Sequence, residues 1–237
     1  MPRLRRSQAL RDFRQSMTVA EALIKKEQNY KDPAPPQFHK VVQGLRGGAI
    51  VIMVAAFESY LTTAAKEYLY DLTQYPIRFN PTKIPEVMVY KSCMLALEKS
   101  IKDPYTPPNP PLADKITRYR SAADIVVKGL IDSSVFSDMA KNNPNPKKIE
   151  TLFKSLGVPN IFQTIKPDFD TRWGSPTSMT FIQDRLQTLI NLRHEVAHKA
   201  LTLNISRRDL QEFPKFIKIL AELCDETLNR HIKQITR

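Results

Sequence analysis

A chain of 237 residues is long enough for one well-buried domain and too short for two comfortable ones. With 42% hydrophobic and 25% charged residues it has the make-up of a soluble globular protein, and six glycines against 18 prolines disfavour a turn-rich sheet. Lys and Arg number 36 against 24 Asp and Glu, a formal charge of +12 that biases the chain towards polyanions, although a dispersed basic surface would give the same total.

Residues 3–30 carry Leu4, Leu10, Phe13, Met17 and Ala20 near helical spacing, which predicts an amphipathic helix. Its arginines (Arg3, Arg5, Arg6, Arg11, Arg14) either extend a track for RNA or form a solvated face. The basic start, Met1 to Arg6, leads into no apolar signal core, so no secretory signal is expected. Lys31-Asp32-Pro33-Ala34-Pro35-Pro36 breaks the helix as a semi-rigid connector. Residues 1–36 therefore read as a basic N-terminal helix with a Pro-rich connector, and 37–237 as the helical domain proper.

A second helix is predicted from Phe38 or Val41 to Leu72, with Gly44, Gly47 and Gly48 marking a kink or a close helix contact. Its apolar run, Ala49 to Phe57, stops at Glu58, too short to span a bilayer, and a cytoplasmic protein without a membrane partner is expected. Pro85 opens a predicted helix over 86–101, a Pro-rich loop follows over 103–111, and 112–131 reads as helix again. Asn142 to Pro146 breaks the chain before a short helix over 147–156 that ends at Gly157. Residues 159–173 read as irregular, with Trp173 as a core anchor in a loop. A strong helical pattern covers 177–203, and Ser206-Arg207-Arg208-Asp209 resembles a capping box opening a last helix to about Ile235. Alternation is weak throughout, so the expected fold is all-α. Cys93 and Cys224 lie in apolar helical stretches and read as buried free thiols of a reducing compartment. His39 and His231 have no partner visible in the sequence.

The segment Arg193-His194-Glu195-Val196-Ala197-His198 supports two chemistries. His194-Glu195-Val196-Ala197-His198 matches the H-E-x-x-H pattern of zinc hydrolases, in which two His one turn apart bind zinc and the Glu activates water. Against zinc, Arg193 and Lys199 put positive charge beside the would-be dication, and no Gly or His follows at the spacing of a third ligand. Glu222 and Glu226 are acids at plausible distance. The other pattern is Arg-x4-His, Arg193 to His198. Metal-free RNA cleavage needs a base for the 2′-OH, an acid for the leaving 5′-oxygen and cationic donors for the phosphorane. Histidine suits proton transfer near neutrality, and the arginine fork suits phosphate. Five helical residues turn through about 500°, so Arg193 and His198 stand roughly 140° apart. One helix therefore supplies only part of such a site.

With three further segments, this motif resembles the HEPN superfamily (higher eukaryotes and prokaryotes nucleotide-binding), and within it the RiboL-PSP-HEPN branch. The segments are Val54-Ala55-Ala56-Phe57-Glu58-Ser59-Tyr60-Leu61, Asn143-Pro144-Asn145-Pro146 through Leu156-Gly157, and Leu186 to Leu192. The resemblance spans roughly 41–235, and Lys199 departs from the Gly that often follows the His in that branch. It implies a metal-independent endoribonuclease without cofactor, acting as a homodimer whose two motif helices share one cleft. Arg193 would hold the scissile phosphate and His198 would transfer protons. A toxin–antitoxin or phage-defence role is implied too, with a cognate antitoxin or regulatory protein as a further partner. Two supporting residues are expected. His194 shares a face with His198, and Glu58 on the apolar stripe of its helix is expected to pair with Arg193. Plainer readings stand beside these: His198 as a core histidine, Arg193 in a structural ion pair, His194 at the surface, and Glu58 at the edge of its stripe reaching water. A non-catalytic HEPN-like module binding nucleic acid, a nucleotide or a partner protein has the same sequence.

Overall fold

A computed structural model describes residues 7–73, 86, 90, 94, 116, 117, 120, 144–199 and 205–235, with the side chains of Thr73, His198 and Lys199 excepted. The helices expected over 86–101 and 112–131, the loop between them and Cys93 fall almost wholly outside the described residues. Six α-helices are described: α1 (Gln8–Glu27), α2 (His39–Thr73), α3 (Pro146–Ser155), α4 (Ile161–Trp173), α5 (Phe181–Lys199) and α6 (Arg207–Ile235). A short 3-10 turn, Pro36–Phe38, leads into α2. Among the described residues there is no strand, and the all-α expectation holds.

Ser7 caps α1, its hydroxyl accepting from the Leu10 amide. Leu10, Phe13, Met17, Ala20 and Ile24 then recur at helical spacing and bury one face in the same core as the rest of the molecule. The N-terminal helix is thus packed into the domain rather than standing apart from it. It lies antiparallel to α2, with the Phe13 ring 6.4 Å from Phe57 and 5.7 Å from Tyr60. At Gly48 the two helices approach so closely that a Cβ there would stand 3.2 Å from Leu23 Cδ1. Gly48 therefore marks a close contact, whereas a Cβ at Gly44 would meet nothing within 4 Å.

Helix α2 has 35 residues. At 1.5 Å per residue it runs about 52 Å. Its length and composition would allow it to cross a membrane, but 56% of its most apolar window is buried inside the domain. α1, α5 and α6 pack around it, the arrangement expected of a helix apolar on most faces. α6 runs parallel to α2: Arg207 and Arg46 meet on one carboxylate near one end, and His231 meets Tyr68 near the other.

Asn145 caps α3 with Pro146 in the first turn. The helix ends in a Schellman motif: Gly157 takes φ +83°, its amide donates to Lys154, and the Val158 amide donates to Phe153 at 2.8 Å. The expectation that 159–173 is irregular is overturned, because α4 occupies Ile161–Trp173 despite Pro167. Pro167 forfeits one backbone bond, but Phe162, Ile165 and Phe169 bury a continuous face, and that gain outweighs the loss. Trp173 closes this helix and stacks on Phe169 at 5.8 Å, anchoring to the core as expected. Ser206 does cap α6, accepting from the Asp209 amide at 3.0 Å and donating to its carboxylate at 2.6 Å.

Candidate functional site

Helix α5 changes character along its length. Ile182, Leu186, Leu189 and Ile190 are buried, whereas no residue from Asn191 to Ala197 is. Arg185 fixes the first half to the start of α6, bonding Asp209 at 2.8 Å and Glu212 at 3.2 Å and lying 4.4 Å over the Phe213 ring. The second half runs on for about 20 Å beyond that contact. α5 as a whole packs chiefly on α2, and in its second half Leu192 and Val196 are still packed on the core.

That second half carries the motif. Arg193 is half-buried, and among the described residues it has no ion-pair or hydrogen-bond partner. His194 is half-buried, Glu195 and Ala197 are exposed, and the backbone of His198 belongs to α5. Among the described residues no ion pair joins Glu58 to Arg193, the partner expected for it. Glu58 is half-buried at the margin of the α2 face that buries Val54, Phe57 and Leu61. On an ideal helix the backbone positions of Arg193 and His198 stand roughly 140° apart.

The acids considered as a third zinc ligand are engaged elsewhere. Glu222 pairs with Arg14 and Arg172, and Glu226 pairs with Arg172 at 2.8 Å. The first of these pairs also removes Arg14 from the free basic track considered for the N-terminal helix. Among the described residues no three His, Cys, Asp or Glu side chains converge as a metal cage.

Three polar constellations were not read from the sequence. Glu27, fully buried, receives two bonds on its carboxylate from Arg46 (2.8 and 2.5 Å) and three from Arg207 (3.3, 3.1 and 3.2 Å). Arg46 also donates to Asp32 at 3.0 Å and to the Ile205 carbonyl at 3.0 Å. Burial alone would lower the affinity of Arg46 for its proton, but its bonds to Glu27 and Asp32 outweigh that and raise its pKa. At the other end of α1, Ser7 bonds the Asp225 carboxylate, and Glu67 accepts from the Ala9 amide at 3.0 Å. Burial raises the pKa of both acids, and backbone or hydroxyl donors oppose it. The pKa of the buried Tyr60 hydroxyl is raised chiefly by burial and next by Cys224 and Asp225, and among the described residues it has no hydrogen-bond partner. The third constellation centres on Tyr68, whose hydroxyl donates to the Leu156 carbonyl and meets Nδ1 of His231. A signal for the first was present: Glu27 falls on the stripe of Met17, Ala20 and Ile24, where an acid demands a cation. Cys224 is a buried free thiol as expected.

No curated protein and no solved structure matches the chain. The RiboL-PSP-HEPN family model matches residues 18–230, starting inside α1 and so earlier than the motifs alone indicated. Together with the all-α core and the Arg-x4-His segment on its penultimate described helix, that match identifies the chain as a member of the RiboL-PSP-HEPN family.

Proposed function

We propose that this protein is a metal-independent endoribonuclease acting in the cytoplasm as a homodimer, with Arg193 and His198 of both protomers forming one composite site. The observation that carries this reading is Arg193: a half-buried guanidinium without a partner among the described residues, on the least buried part of a helix that also bears His198. A cation without such a partner is available to a phosphate, and its planar fork matches two phosphate oxygens. Family membership and the net charge of +12 point to the same polyanion.

In the reaction, one His198 takes the proton of the 2′-OH as that oxygen attacks phosphorus. The bond to the 5′-oxygen breaks, and the second protomer's copy of this histidine protonates the leaving oxygen. A 2′,3′-cyclic phosphate and a 5′-hydroxyl result, with Arg193 offsetting charge on the phosphorane. His194, on the same face as His198, contacts the RNA, and Glu58 supports the site from α2. A toxin or phage-defence effector restrained by a cognate antitoxin fits such an activity.

The test is incubation of purified protein with total RNA, with and without EDTA, beside His198→Ala. Cleavage that resists EDTA and is lost in the variant is expected. Cleavage abolished by EDTA would instead favour zinc hydrolysis, and RNA binding without cleavage a non-catalytic module.

A further inference from the structure

We infer that Tyr30 and Phe38, with the lysines around them, form a stacking site for an unpaired base of RNA, at the same end of the molecule as the motif. The site's place in cleavage rests on the ribonuclease reading, but the site itself is built from separate observations.

Phe38, Val41 and Gly44 follow at three-residue spacing, so they share one face where the chain enters α2, and all three are exposed. Phe38 is 40% and Val41 46% exposed, and a Cβ at Gly44 would meet nothing within 4 Å. The opposite face carries Val42, Arg46 and Ala49 into the interior. The Tyr30 ring packs 5.4 Å from that of Phe38 at 53°, and the Tyr30 carbonyl is held by Arg207 at 2.8 Å. Tyr30 thus steadies one side of the Phe38 ring, and the exposed remainder is open to a flat ligand.

Charge selects that ligand. The 25–41 segment holds Lys25, Lys26, Lys31 and Lys40 against Glu27 and Asp32. Both acids are bonded to Arg46, whereas among the described residues none of these lysines has an ion-pair partner. Lys31 directly follows Tyr30 and Lys40 closely follows Phe38, so the ring pair is bracketed by cations. A second copy of this chain docked face to face would set the lysines against their own images. A nucleic-acid strand supplies both complements, phosphates for the lysines and a base for the ring. That base must be unpaired, because in a duplex its faces are covered by its neighbours.

Helix α5 brings the motif to this end. Phe181 packs on Phe169, itself beside Phe216 of α6, whereas Arg185 one turn later reaches Asp209 and Glu212. α5 therefore runs antiparallel to α6, and α6 runs parallel to α2 with Arg207 and Arg46 meeting on Glu27. Counting about 1.5 Å per residue onward from Arg185 brings Arg193 roughly level with the first turn of α2. A strand whose phosphate meets Arg193 can place a nearby base at Phe38.

Binding is measured with a labelled 2′-O-methyl RNA of about 12 nucleotides, which lacks the attacking hydroxyl, both single-stranded and as a duplex. The full chain is compared with Phe38→Ala, Phe38→Trp and Lys31→Gln/Lys40→Gln. Phe38→Ala is expected to weaken single-strand binding by about tenfold or more and duplex binding by no more than about twofold, with unchanged salt dependence. Phe38→Trp is expected to keep the affinity within about threefold. Its added indole should be quenched by the single strand, unlike Trp173 of the wild type, which is packed on Phe169. The lysine variant is expected to weaken both forms and to flatten the salt dependence. No single-strand binding by the wild type, or an equal loss for both forms in Phe38→Ala, overturns the inference. So does sedimentation of Phe38→Ala as a smaller species than the wild type, which would assign the strip to a second copy. Normal binding by Phe38→Ala beside a wild type that cleaves RNA removes the stacking site and leaves the ribonuclease reading. Phe38-dependent binding by a wild type that does not cleave unmodified RNA leaves the site and removes that reading.

Discussion

The Tyr68 hydroxyl lies 2.6 Å from Nδ1 of His231, with the two rings stacked at 6.0 Å and the Leu156 carbonyl 3.2 Å from the same oxygen. Donation from His231 to Tyr68 and from Tyr68 to Leu156 satisfies all three groups and joins α2 and α6 to the end of α3. Removing the hydroxyl leaves a buried carbonyl and an imidazole short of partners. Tyr68→Phe is therefore expected to lower stability by about 1–2 kcal/mol in urea unfolding.

The same pair sets an acid limit. Burial lowers the His231 pKa below its ordinary 6.5, so the folded protein binds this proton less readily than the unfolded chain. Stability contributed by neutral His231 is full above 6.5 and is lost as pH falls from there towards the depressed native value. Unfolding free energies measured between pH 7.5 and pH 5 (roughly spanning the ordinary histidine range) are expected to fall more steeply for the wild type than for His231→Phe. Parallel slopes would show that another group controls the transition.

Asp225 and Glu67 act with the opposite sign. Burial raises both native pKa values above the unfolded ones, so the folded state holds these protons more tightly. The stability this gives is complete below the unfolded values of 3.8 and 4.5 and is lost as pH rises through the elevated native ones. Asp225→Asn keeps an oxygen for Ser7 and removes the buried charge. Relative to this variant, the wild type is expected to lose stability as pH rises from about 4 and then to level off, as paired denaturation curves would record.

The long elements were legible because their apolar spacing is strong. α2 and α6 follow their predicted limits closely, and Gly157 marked the end of α3. α4 was not legible, since Pro159 and Pro167 are local signals, while Phe162, Ile165 and Phe169 become decisive only once packed beside Phe216 and Phe181. At the site, the six-residue motif could be found by eye, but pairings across long sequence separations could not. Glu58 offered Arg193 as its apparent partner, whereas the buried acid with two arginines is Glu27, brought to Arg46 and Arg207 by the antiparallel fit of α1.

The N-terminal helix offers a direct measure of its place in the domain. Phe13 is 2% exposed and packs against Phe57 and Tyr60. Phe13→Ala removes that contact and leaves a cavity, and is expected to cost about 3–5 kcal/mol. A helix serving only as a mobile RNA-binding arm would tolerate the change with a shift of about 0.5 kcal/mol or less. Chemical denaturation of the purified variant distinguishes the two.

The composite site makes its own prediction, because on an ideal helix its two groups stand roughly 140° apart on each chain. In a two-fold dimer carrying Arg193→Ala on both chains, the cleft keeps two His198 but no Arg193, and His198→Ala leaves the reverse. Each variant alone is expected to lose about 10²–10⁴-fold in cleavage, the range for a proton-transfer or oxyanion-stabilising group. When wild type is mixed with the double variant Arg193→Ala/His198→Ala and allowed to exchange subunits, a mixed dimer holds one Arg193 and one His198 and lacks the second histidine that the reaction uses. Activity per wild-type chain is expected to fall as the fraction of mixed dimer rises. A site complete within each protomer loses nothing on mixing, since every wild-type chain keeps both of its groups. Dilution adds a second check: specific activity should fall where the protein dissociates, whereas a self-contained site would keep its activity per chain.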